Sequence, residues 1–101
     1  MARKIIWSHE AADDLNALSE YIARDSVHYA AAFTQQILEA SSSLNIFADR
    51  GRVVPELGDP SIREVIVGNY RLIYSTEQSR IVVLAIIHGY RDFNALWEKR
   101  N

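Results

Sequence analysis

The chain has no cysteine. Disulfides, thiolate metal sites and cysteine nucleophiles are therefore excluded, and a fold that does without them suits a reducing cytoplasm. Lysine is almost missing as well: Lys4 and Lys99 are the only two, and the other nine of the eleven cations are arginines. There is no excess of positive charge, since the formal net charge is −2, which argues against a strongly basic nucleic-acid binder. No apolar run is long enough to cross a bilayer, the longest being Ile81 to Ile87. The N-terminus carries only a short apolar stretch, so no signal peptide is expected, and the protein is expected to be soluble. Both prolines and two of the four glycines (Gly51, Pro55, Gly58 and Pro60) crowd into residues 51–61, which read as a loop.

What is present is ordinary for a globular protein. The 101 residues amount to one domain, 1–101, with 49% apolar and 24% charged residues. The charge is unevenly spread. Residues 1–49 carry three cations against seven anions, and residues 50–101 carry eight cations against six anions. Arginine stays ionised when partly buried and presents a planar fork matched to carboxylates and phosphates. The plain alternative for most of these arginines is a solvated surface with ordinary ion pairs.

Residues 3–7 read as a short strand. Ser8 is placed to cap a helix, with Glu10 in its first turn, and Leu15, Leu18 and Ile22 continue at helical spacing to about Arg24. Asp25 or Ser26 breaks that helix and caps the next. There Ala30, Phe33, Ile37, Ala40, Leu44 and Phe47 form an apolar stripe over five turns, with Gly51 just past the expected stop. Ile62–Val67 and Tyr70–Thr76 read as strands joined at Gly68-Asn69, a two-residue hairpin signal. Glu77–Arg80 reads as a turn, and Ile81–His88 as a strand covered on both faces. Asp92 or Asn94 starts a short terminal helix with Leu96 and Trp97. The expected fold is α+β in the order βααβββ: an N-terminal helical hairpin packed on a small, mainly antiparallel sheet, with a short C-terminal helix.

Several local strings, in this order, resemble RelE/ParE-type toxins: Trp7, Ala11-Ala12-Asp13-Asp14-Leu15, Tyr21-Ile22-Ala23, Gly51-Arg52-Val53-Val54-Pro55-Glu56, Arg63-Glu64, Tyr70-Arg71-Leu72-Ile73-Tyr74 and His88-Gly89-Tyr90-Arg91-Asp92. None is specific alone; their joint order and spacing carry the resemblance across nearly the whole chain. The resemblance implies the toxin of a type II toxin–antitoxin pair, neutralised in a heteromeric complex by a cognate antitoxin, with no metal or organic cofactor. It implies one of two targets. RelE-like toxins cut messenger RNA in the ribosomal A site, and ParE-like toxins poison DNA gyrase, on one scaffold.

A hairpin centred on Gly68-Asn69 sets Arg71 opposite Ile66, and a turn centred on Gln78-Ser79 sets it opposite Ile86. That register puts Glu64, Arg71 and His88 on one sheet face. Arg71 then either pairs structurally with Glu64 or clamps a phosphate or partner carboxylate. In RelE-like nucleases the matching arginine stabilises charge on the scissile phosphate. By the same resemblance Arg91 contacts phosphate, although a solvated pair with Asp92 is the alternative. His88 is a candidate acid or base, or a histidine bonded to backbone. Glu56, in a Pro-Glu string, is a candidate base. Arg52 and Arg63 add attraction for RNA, and Trp97 either stacks on a base or packs on the core. Arg63, Arg71 and Arg91 would meet acidic antitoxin side chains, and the groove between the helical hairpin and the sheet would take apolar antitoxin residues. The scarcity of lysine and the acidic balance favour the ParE-like target over the RelE-like one. A third reading is a non-toxic member that only binds its antitoxin.

Overall fold

Two serines set the first half of the fold. In the computed structural model, which describes residues 2–100, Ser8 adopts extended backbone and its hydroxyl accepts from the Ala11 amide, starting α1 (His9–Ala23) immediately after β1 (Lys4–Trp7). Ser26 does the same for the Tyr29 amide and starts α2 (Val27–Ser43). Each cap satisfies an amide that the helix itself leaves unpaired. The chain continues through β2 (Arg52–Val53), β3 (Ile62–Val67), β4 (Tyr70–Thr76), β5 (Arg80–His88) and α3 (Phe93–Arg100). Asp92 caps α3, its carboxylate accepting from the Ala95 amide. None of the described helices is long and apolar enough to cross a membrane.

The five strands form one sheet in the order β1-β5-β4-β3-β2. Among the described strands only the β1–β5 pair is parallel. The α1–α2 hairpin covers one face, where Ala11, Phe33, Ile37 and Ala40 pack with Leu72, Val83 and Ile86. Fully burying a side chain such as Ile37 or Leu72 contributes about 1.5–3 kcal/mol. The opposite face is covered by the segment after β2 and by α3: Val54, Ile73, Ala85, Ile87 and Phe93 pack there, with Leu57 and Trp97 at the margin. The sheet is thus a middle layer, which is why β5 reads as a nearly unbroken apolar run.

Three local expectations are corrected. The helical stripe stops short: α2 ends at Ser43, Leu44 is still buried, and Phe47 lies outside the helix at 63% exposure. Ser41 and Ser43 turn their hydroxyls back onto the carbonyls of Leu38 and Ala40, while the Leu44 and Asn45 amides bond the carbonyls of Ser41 and Ser42. Serine competes in this way with the helical ladder. The loop over 51–61 contains a two-residue strand, because Arg52 and Val53 pair with Glu64 and Arg63. Among the described strands the order is therefore βααββββ, followed by α3.

The third correction concerns β5. Its turn lies where expected, with Thr76 opposite Ile81 and Tyr74 opposite Val83, but the register slips by one between Tyr74 and Ile73, and Ile73 faces Ala85. Leu84 is the extra residue of a β-bulge. Ile81 and Val83 face the helices before it, and Ile86 and His88 after it. Arg71 therefore lies opposite Ile87, not Ile86, and His88 pairs with Tyr70 on the other face. The Gly68-Asn69 hairpin forms as expected. Of the two turn residues Gly68 alone has positive φ, at 60°, so the turn follows the II′ pattern.

Candidate functional site

Arg71 points away from the helical hairpin, from the second position of β4, and is 7% exposed. A guanidinium so placed must be paired. Its Nε donates to Glu64 Oε1 at 2.6 Å. Its Nη1 and Nη2 donate to the two oxygens of Glu56 at 2.8 and 2.6 Å. The second Glu64 oxygen accepts from Arg52 Nε at 2.6 Å. A chain of alternating charge results: Arg52, Glu64, Arg71, Glu56. Phe93 of α3 closes it, its ring centroid 4.8 Å from the Arg71 guanidinium carbon. Trp97 stacks on Phe93, with centroids 5.3 Å apart.

Local structure explains each position. Glu64 and Arg71 belong to adjacent antiparallel strands, two residues apart diagonally, within reach of long side chains. Glu64 is 1% exposed, and both its oxygens are engaged. Glu56 lies in the turn after β2, where the Leu57 and Gly58 amides bond back to Val54 and fold the chain over the sheet. Three of the five guanidinium N–H groups of Arg71 are therefore committed. Of the two carboxylates Glu56 is the more exposed, so it is the partner with which an anionic guest would exchange.

The ionisation of the site follows from these bonds. Hydrogen bonds from Arg71 hold the Glu56 carboxyl below its ordinary value of 4.5, with burial opposing. Arg71 is driven further towards the charged form, first by Glu56 and then by Glu64. A carboxyl whose pKa is lower in the folded state stabilises the fold above its unfolded value and loses that contribution as pH falls through the folded value. Wild-type stability should accordingly drop on acidification below about pH 5. The Glu56→Gln variant should lose less over the same interval in urea titrations at stepped pH, and parallel pH profiles would refute the pairing.

The other candidates do not join this cluster. His88 is half-buried on the helical face; its Nδ1 accepts from the Tyr90 amide at 3.2 Å and its ring meets Tyr70 edge-on. Arg63 lies on that face too, opposite Tyr74; its Nη1 donates to the Gly51 carbonyl, and its Nε is 3.8 Å from Asp49. Arg91 is exposed in the turn after β5 and makes no salt bridge among the described residues. The arginines singled out from sequence thus divide between two faces and a loop instead of lining one surface. Among the described residues no group of three His, Asp or Glu side chains is gathered as for a metal ion.

Sequence reasoning missed the part played by Phe93 and a pairing of Asp14 with Arg100. Neither has a local signature, because each joins segments distant along the chain. It also missed the anchoring of the turn before β2, where the buried Tyr74 hydroxyl accepts from the Gly51 amide and donates to the Ala48 carbonyl, both at 2.9 Å. Burial raises the pKa of that phenol.

Comparison with known proteins agrees with this architecture. No curated protein matches the chain. Among solved structures, a chain of the chromosomal ParDE toxin–antitoxin system from P. aeruginosa superimposes with a TM-score of 0.71 at 22% identity. The match covers 86% of this chain and 96% of that one; at such identity it speaks for the fold. The family model described as the ParE toxin of the type II toxin–antitoxin system parDE matches residues 5–93. With the helical hairpin, the sheet from Ile5 onwards and the first residue of α3 inside that span, the chain belongs to the ParE toxin family.

Proposed function

We propose that this chain is a growth-inhibiting toxin that acts as a protein inhibitor of DNA gyrase, cuts no RNA itself, and is neutralised by direct binding of a cognate antitoxin. The observation that carries the reading is the bidentate Arg71–Glu56 pair. A nuclease of the RelE kind would need Arg71 to meet the phosphate and Glu56 to take a proton. Here each engages the other, and a carboxyl held below its ordinary pKa is a weak base. His88, the remaining acid–base candidate, belongs to the opposite face of the sheet. The low lysine content supports the same direction, because an acidic chain is repelled by ribosomal RNA phosphates.

The antitoxin reading is supported by family membership and by the exposed cations Arg52 and Arg91, which suit acidic partner side chains. The product of the adjacent gene should bind the purified chain at micromolar concentration or tighter.

Induced expression separates the targets. Gyrase inhibition should raise a DNA-damage reporter while pulse-labelled protein synthesis continues at first, and the purified chain should inhibit supercoiling by gyrase. Rapid arrest of translation with cut messages would identify a nuclease instead. Neither response would identify a member that only binds its antitoxin.

A further inference from the structure

β1 accompanies only the first half of β5. Lys4 to Trp7 pair with Arg80 to Val83, and from Leu84 to His88 that side of β5 has no strand beside it among the described residues. An unpaired, apolar strand edge is a template for another chain. This one is nevertheless occupied. The Ile86 amide donates to Asp14 Oδ2 at 2.9 Å. The Leu84 carbonyl, at the bulge, accepts from Arg100 Nη1 at 3.0 Å and from the Ser8 hydroxyl at 3.4 Å. The His88 carbonyl accepts from the Arg91 amide at 3.0 Å. Arg100 and Asp14 are themselves joined, Nη2 lying 2.8 and 2.7 Å from the two carboxylate oxygens.

We propose that Asp14 and Arg100 form a side-chain clasp that replaces the missing strand neighbour, closing the open half of β5 against pairing with a second copy of this chain. The clasp also pins α3 to α1, since its members lie on those two helices. A solvated surface pair contributes little. This one is half-buried, each side chain being 21% exposed, and each member also holds a backbone group of the edge. An incoming strand needs the same Ile86 amide and Leu84 carbonyl, so edge pairing and the clasp exclude each other. A second copy is the guest that such an edge fits, because antiparallel pairing of identical edges is self-complementary about a two-fold axis. A cleft of about 260 Å³ beside the clasp, lined by Leu18, His88, Arg91 and Leu96 among others, leaves the edge approachable. The inference is independent of the toxin's target.

The test uses the full chain and reads single amides by NMR hydrogen exchange. In Asp14→Ala, exchange at Ile86 should accelerate about tenfold relative to Ile73, whose strand is flanked on both sides. Asp14→Asn keeps an acceptor for the Ile86 amide but not the charge, and should show a smaller acceleration. In sedimentation runs at matched concentration, the Asp14→Ala/Arg100→Ala double variant should move towards dimer relative to wild type. An unchanged ratio of Ile86 to Ile73 exchange, a uniform rise at both amides, or a double variant that sediments like wild type would each overturn the proposal.

Discussion

Replacing Arg71 with alanine is expected to destabilise the fold by about 3–5 kcal/mol, the range for removing one partner of a buried ion pair. The reason lies in what remains. Glu64, 1% exposed, keeps only Arg52, whose side chain is mostly in solvent, and Glu56 loses both its hydrogen bonds. The ring of Phe93 loses the cation against it. Against a total stability of about 5–15 kcal/mol for a domain of this kind, that is a large fraction. Urea unfolding should show a much lower midpoint. The double variant Arg71→Met/Glu64→Leu should recover at least about 2 kcal/mol, since apolar residues of similar volume can replace a buried pair without an orphaned charge. If the single variant unfolds like wild type, the network is not structural, and Arg71 is free for a guest. Loss of function in Arg71→Ala therefore needs a folding control before it is read as loss of a binding group.

Gly51→Ala is expected to be nearly as damaging, by about 3 kcal/mol. A Cβ built there would sit 2.5 Å from the Glu64 carbonyl oxygen, 2.6 Å from the Tyr74 hydroxyl and 2.9 Å from the Glu64 carbonyl carbon. The hydroxyl ends a side chain, but the carbonyl belongs to the middle of β3 and cannot move without disturbing the pairing with β4. For that reason Tyr74→Phe should not rescue Gly51→Ala. A double variant restored to the stability of Tyr74→Phe alone would show that the hydroxyl, not the strand, sets the limit. Displacement of β3 would also move Glu64, the carboxylate that holds Arg71 Nε.

These two positions show where reading from sequence succeeds and where it stops. Gly51 reads as a helix stop, since glycine past an apolar stripe marks a terminus, but α2 ends at Ser43 and the role of Gly51 is close approach to β3. Arg71 was legible as an arginine needing a partner, and Glu64 as a diagonal neighbour on the same sheet face, because strand alternation and the Gly68 turn fix that placement locally. Glu56 was picked out for its chemistry and not as a partner of Arg71, because a turn of unknown path separates them. Phe47 was assigned to the core because periodicity continues past the point where three consecutive serines end the helix.

Sequence by itself determined the elements other than β2 and most of their boundaries: the serine caps, the apolar periods of the helices, the hairpin glycine and the two-sided apolar run of β5. Those are short-range properties, set by backbone preferences and by the spacing of side chains along one segment. Tertiary structure alone decided which charged groups meet. One inserted residue at Leu84 moved His88 from the face of Arg71 to the other, and only the folded sheet reveals it, because a bulge changes strand parity without leaving a mark in composition. Likewise, only docking of α3 brings Phe93 over Arg71 and Arg100 onto Asp14, for contacts between distant segments depend on the path of everything between them.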